Sequence, residues 1–217
     1  MPFSFLLPNT SLLNCALCTG TDSSFTDTLP LRILAFGDSL VAGFAVSRKA
    51  GFTVQLEKTL LNAGFSAEVL NAGVPGDTSA GGRARLEQVL EIRPDLVLLE
   101  FGANDNLLGL EPAILEANLE AIIQNFRERG IPVLLAGIQP LRDLGENYRA
   151  EFSEVFSRLA TKHQLPFYAN FLAGVAGNPE LNKSDGIHPN PKGVKEIVRR
   201  LAPLVIETLK GLPQRRP

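Results

Sequence analysis

The chain has 217 residues, 45 % hydrophobic and 20 % charged, with 21 Lys+Arg against 23 Asp+Glu and a formal net charge of −2. That balance suits one α/β domain with a single core, and the absence of a basic run argues against nucleic acid as a partner. No apolar stretch approaches the roughly 20 residues that span a bilayer, and two histidines and two cysteines leave little for metal chemistry.

Both cysteines lie near the amino terminus, as Cys15-Ala16-Leu17-Cys18. No second pair or nearby histidine completes a zinc site, and a redox motif would belong at a helix start beside a sheet. The two thiols therefore read as a local disulfide or as idle. Residues 2–28 carry no Lys or Arg, so a secretory signal here would lack its positive n-region. Leu12-Leu13-Asn14-Cys15 has the outline of a lipoprotein cleavage box, but Asn14 is bulky where a small residue belongs. A plain tail is the simpler reading. The chain then divides into a tail and linker over 1–29, one domain over 30–211 and a polar tail over 212–217.

Leu31-Arg32-Ile33-Leu34-Ala35-Phe36 is short, apolar and closed by Gly37, as expected of a parallel strand covered on both faces. Phe52, Leu56 and Leu60 predict a helix over 50–62 with Gly64 as its stop. Residues 67–71 read as a second strand. Asp77 or Thr78 could cap the next helix, which carries Leu86, Val89 and Leu90. Residues 95–101 are the clearest strand, and 102–110 a leucine-rich loop. A stripe of Leu115, Leu119, Ile122, Ile123 and Phe126, with Ile114, predicts a helix over 113–129. Strand four spans 132–138, a helix 147–162 and a short fifth strand 165–168. After a loop over 169–190, Asn190-Pro191 marks the start of a last helix running to about Lys210. Alternating strands and helices imply a parallel sheet with helices on both sides, a three-layer αβα sandwich. We expect the flavodoxin-like strand order 2-1-3-4-5.

In such sheets ligands bind outside the carboxyl ends of the strands, where the strand order reverses. Ser39 follows strand one, Gly73 strand two and Asn104 strand three, and the loop carrying Asp185 and His188 can fold over the same edge. Acyl transfer needs a nucleophile, a base, a group orienting the base, and donors for an oxyanion. Ser39 is the candidate nucleophile and His188 the candidate base. Asp185, three residues earlier, can reach one ring nitrogen and leave the other for serine. The backbone N–H groups of Ser39 and Gly73 and the Asn104 amide are the candidate oxyanion donors. Asp38 and Asp105 read as structural hydrogen-bonding residues, and His163, at a helix end, as a surface residue. Leu107, Leu108, Leu110 and Leu141 are either core or an acyl-chain groove.

Gly37-Asp38-Ser39-Leu40, Gly73, Gly102-x-Asn104-Asp105 and Asp185-x-x-His188 resemble, in order, the four blocks of the GDSL (SGNH) hydrolase family. Asn71-Ala72-Gly73, Gly76-Asp77-Thr78-Ser79 and Asp185-Gly186-Ile187-His188-Pro189-Asn190 are similar to one bacterial subgroup, the multifunctional acyl-CoA thioesterase, lysophospholipase and arylesterase. The likeness covers about residues 31–209. It implies the SGNH hydrolase fold, a Ser39, Asp185, His188 triad, an oxyanion hole of Ser39, Gly73 and Asn104, and a small acyl ester or thioester as substrate, with no metal or organic cofactor. Members are often exported, and residues 1–29 occupy the place of an export signal. A carbohydrate O-acetyl esterase is the alternative within the superfamily. A flavodoxin-like binding protein is a further one, disfavoured because residues 37–43 offer a single hydroxyl for a flavin phosphate. The motifs Gly-x-Gly-x-x-Gly, Gly-Lys-Ser/Thr and Gly-x-Ser-x-Gly do not occur.

Overall fold

The computed structural model describes residues 29–213. The expectations for the amino-terminal tail, with Cys15 and Cys18, and for residues 214–217 fall outside the described residues.

Five strands form one sheet in the order β2-β1-β3-β4-β5, with every neighbouring pair parallel, as expected from the sequence. β1 (Leu31–Gly37) and β3 (Leu96–Glu100) lie at its centre, and their apolar runs are buried on both faces. β2 (Ala67–Gly73) is an edge strand and alternates, with Ala67 and Val69 inward and Glu68 exposed. β4 (Val133–Ala136) is buried throughout, and β5 (Phe167–Tyr168) is reduced to two residues.

The helices are α1 (Ser39–Ala42), α2 (Phe52–Asn62), α3 (Ser79–Ala84), α4 (Leu86–Leu90), α5 (Ala103–Leu108), α6 (Pro112–Glu128), α7 (Glu146–His163) and α8 (Pro191–Lys210). α2 packs against α8, while α6 packs against α3 and α7. The two groups cover opposite faces, because right-handed crossovers change face when the strand order reverses after β2. α6 buries Leu115, Leu119, Ile122, Ile123 and Phe126, but Ile114 is exposed, one step off the stripe. α8 begins at Asn190, whose side chain accepts from the N–H groups of Lys192 and Gly193, with Pro191 at the first helical position.

Three expectations need correction. The leucine-rich stretch after β3 is not a loop: residues 103–108 form α5. Asn106 anchors it, accepting from the N–H groups of Leu141 and Arg142 at 2.7 Å each and donating to the Arg142 carbonyl at 3.1 Å. The single helix expected after Thr78 is two, because Arg85 turns away at the junction to bind Asp77 and the Gly37 carbonyl. His163 is buried rather than at the surface. Its Nδ1 accepts from Arg127 at 2.7 Å and its Nε2 reaches Glu120 at 2.9 Å, so it joins α6 to α7. Among the described residues no helix is long and apolar enough to cross a membrane.

Candidate active site

β1 delivers Ser39 to the carboxyl edge of the sheet. Asp38 caps the short α1, its Oδ1 accepting the Leu40 N–H at 2.9 Å. As the first residue of the helix, Ser39 has a backbone N–H without an intrahelical partner. Its Oγ lies 3.0 Å from His188 Nε2, and His188 Nδ1 lies 2.8 Å from Asp185 Oδ2. Ser39 and His188, 149 residues apart in sequence, thus join with Asp185 in one continuous chain.

The Asp185 loop is held by its own side chain. Asp185 Oδ1 accepts the N–H groups of Ile187 and His188, at 2.9 Å each, leaving Oδ2 for the ring. Burial works to raise the Asp185 carboxyl, but the His188 N–H, the His188 ring and the Ile187 N–H together bring it down to about 2. An ionised carboxylate only accepts, so the ring proton sits on Nδ1 and the Nε2 lone pair faces Ser39. Behind the histidine, Lys183 N–H donates to the His188 carbonyl at 2.8 Å, and the Lys183 ammonium bonds the Ala45 carbonyl of the serine loop. The half-exposed Phe44 ring stands 4.9 Å from the imidazole.

Asn104 points its amide at the same edge. Nδ2 donates to the Asp77 carbonyl at 2.8 Å and, over a longer 3.3 Å, to Asp38 Oδ2. The second of these bonds is weak enough for a stronger acceptor to displace.

Gly73, a candidate oxyanion donor, closes β2. Its N–H already donates to Asn71 Oδ1 at 2.9 Å. A β-carbon there would stand 2.3 Å from the Ala42 nitrogen and 2.8 Å from the Asp38 carbonyl oxygen. Glycine at 73 therefore lets the end of β2 lie against the backbone of α1. The neighbouring Gly76 has φ +84° in the turn closed by Asp77 N–H on the Val74 carbonyl, and a β-carbon there would meet nothing within 4 Å. Among the described residues no acceptor takes its N–H. Arg85 fixes this turn: it holds Asp77 at 2.7 Å and the Gly37 carbonyl at 3.0 Å while lying over the Phe36 ring. Pro75-Gly76 is a turn signature within the turn-rich stretch from Gly73 to Asp77.

Residues 35–195 match the family of GDSL-like lipases and acylhydrolases. The chain belongs to that family. It is 38 % identical over 178 residues to the esterase TesA of Pseudomonas aeruginosa, covering 80 % of this chain and 89 % of that one. It is 34 % identical over 180 residues to thioesterase 1/protease 1/lysophospholipase L1 of Escherichia coli K12, covering 80 % and 84 %. The crystal structure of AlinE4, an esterase of the SGNH-hydrolase family, superposes with a TM-score of 0.70 at 38 % identity, over 83 % of this chain and 97 % of that one. As a GDSL-family member the protein is an enzyme, a hydrolase of acyl esters.

Leu107, Leu108 and Leu141, the candidate substrate contacts, fall on two adjoining segments that Asn106 ties together. Leu108 is 65 % exposed, while Leu107 and Leu141 are half-buried and Leu141 packs against the core. A cavity of about 950 Å³ lined by Arg93, Asp95, Arg127 and Pro132 lies at the opposite, amino-terminal edge of the sheet, away from this GDSL-family site.

Proposed function

We propose that the protein cleaves carboxylic esters and thioesters of acyl chains through an acyl-enzyme on Ser39. The observation that carries this reading is the unbroken hydrogen-bonded chain from Ser39 Oγ through His188 to Asp185, at 3.0 and 2.8 Å. Ser39 Oγ attacks the acyl carbon as its proton passes to His188 Nε2, and the imidazolium is balanced by Asp185. The negative oxygen of the tetrahedral species is met by the N–H groups of Ser39 and Gly76 and by the Asn104 amide. Gly76 takes the place first assigned to Gly73, because its N–H is free and Asn104 is bonded to the next residue in the chain. His188 then protonates the departing alcohol or thiol. A water repeats the sequence, giving its proton to His188 and its oxygen to the acyl group, and Ser39 leaves with its proton restored.

The substrate class follows from the rim. Leu107, Leu108 and Leu141 lie on the segments that follow β3 and β4, at the same sheet edge as the nucleophile, and offer apolar surface there, which favours acyl groups longer than acetyl over an acetylated sugar. The names of the relatives, an esterase and a thioesterase/lysophospholipase, lean the same way. The test is a series of nitrophenyl esters and acyl-CoAs of graded length. We expect kcat/KM to rise with chain length beyond acetyl, and Leu108→Asp to lower it for the long members about tenfold while sparing acetate, the worth of one to two buried methylenes. A preference for acetate that Leu108→Asp leaves intact would favour the O-acetyl esterase reading.

A further inference from the structure

Beneath Ser39 lies a carboxyl group that the mechanism above does not use. Glu100 ends β3 and is fully buried, as is Asp38; neither oxygen of its carboxyl has a donor in good hydrogen-bond geometry, although the Asp38 N–H lies near enough to favour the charged form. Its position is defined by the strand register, which pairs Glu100 with Gly37. Glu100 Oε2 lies 2.9 Å from where a β-carbon on Gly37 would stand, so the acid faces the Gly37–Asp38 segment. Asp38 uses both of its oxygens, Oδ1 for the Leu40 N–H and Oδ2 for Asn104.

The charges around this pair decide its state. Asp105, from α5, faces it, but is supplied by the Ser79 N–H at 2.9 Å and the Ser79 hydroxyl at 2.5 Å. Asp77 is nearby and is neutralised by Arg85, whose other arm goes to the Gly37 carbonyl. No cation among these residues is left for Glu100, and among the described residues no three His, Cys, Asp or Glu are placed to hold a metal ion. Two facing buried carboxylates cannot both ionise, and the proton falls to Glu100, which has at most the Asp38 N–H, rather than to Asp38, which accepts from the Leu40 N–H and the Asn104 amide.

We propose that Glu100 is a positioning residue: as a neutral acid it donates its proton to the Asp38 carboxylate, and so loosens the hold of Asp38 on the Asn104 amide that meets the oxyanion. Burial, with the Asp38 charge next, pushes the Glu100 carboxyl well above its usual range. Burial likewise raises Asp38, to about 7, while the hydrogen bonds from Leu40 and Glu100 oppose the rise. The shared proton has two consequences. It keeps a second negative charge away from the carbonyl that is itself becoming negative. It also satisfies Asp38 from below, which leaves the Asn104 bond long at 3.3 Å and open to exchange for substrate.

This inference rests on Asn104 being an oxyanion donor, and its test separates the two. Glu100→Leu should lower kcat by about 10², approaching the loss of one oxyanion donor, with KM for a nitrophenyl ester unmoved. Glu100→Gln, which can still donate to Asp38, should restore kcat to within a few-fold of wild type. In an Asn104→Ala background, Glu100→Leu should cost no more than about twofold further, because its effect runs through Asn104. Independently of activity, the infrared spectrum of wild type at a pH well above the Asp38 value should keep the band of a neutral carboxylic acid, and Glu100→Gln should lack it. That band and the Gln variant carry the test if Glu100→Leu does not fold. The proposal is overturned if the band is missing from wild type or survives in Glu100→Gln, if Glu100→Gln is as impaired as Glu100→Leu, or if the Glu100→Leu and Asn104→Ala losses multiply. A failure of Asn104→Ala alone to lower kcat would instead remove Asn104 from its role.

Discussion

Asp185 shows what one side chain does with two oxygens: Oδ1 shapes the loop and Oδ2 sets the tautomer of His188. Asp185→Asn keeps the first task and reverses the second, since an amide N–H facing Nδ1 drives the proton to Nε2. We expect kcat to fall by about 10⁴ with the fold intact, as for the equivalent change in another serine-hydrolase triad; steady-state kinetics beside a thermal melt will show it. Linkage gives Glu100 an equally specific signature. Its folded value is raised above the usual 4.5, so the folded protein holds a proton that the unfolded chain releases once pH passes that point. The contribution of Glu100 to stability must then fall as pH rises above about 4.5 towards its raised folded value. Glu100→Gln removes this contribution, so the difference in Tm between variant and wild type should grow in favour of the variant with rising pH. A difference that stays flat across the range would show that Glu100 is ionised.

Among elements, the strands and long helices were legible because burial wrote itself into hydropathy. β1 and β3 are apolar runs, and α6 and α8 carry stripes of helical period. α5 was not legible, since Gly102-Ala103-Asn104-Asp105 has turn composition and the helix depends on Asn106 reaching a segment 35 residues away. The break between α3 and α4 was hidden for the same reason, resting on Arg85 and distant partners. Glu100 was legible in principle: a carboxyl group at the end of a buried apolar strand is a local contradiction, and such contradictions mark functional places. The Ser39, His188 and Asp185 positions could be read from motif spacing and topology. The choice between Gly73 and Gly76 as the proposed oxyanion donor could not, because it turns on backbone conformation and on what each N–H and an added β-carbon would meet. Gly73→Ala tests the packing role. The new methyl would overlap the Ala42 backbone, forcing β2 and α1 apart at a cost of roughly 1–3 kcal/mol. We expect a lower urea midpoint together with a lower kcat, since α1 carries Ser39. An unchanged midpoint would mean that the strand end is freer than it stands.

For the whole molecule, one topological fact organises the rest. The strand order reverses between β1 and β3, and that opens an edge where Ser39, the Gly76 turn and Asn104 meet without any long-range design beyond right-handed crossovers. The loop before α8 then closes over this edge, fastened by the Asn182–Pro189 bridge and by Lys183. The surface ion pairs, such as Arg199–Glu196 and Lys210–Glu207, contribute little by comparison, being exposed. Stability resides in the two apolar layers against the sheet, and the chemistry at one edge of it. The most direct measurement of the central claim is hydrolysis of a nitrophenyl ester by Ser39→Ala, paired with mass spectrometry of wild type after treatment with a reactive phosphonate. We expect a loss of about 10⁶ in kcat and a single phosphonyl group on the peptide containing Ser39. A variant that keeps a tenth of the activity, or a label found on another residue, would contradict it.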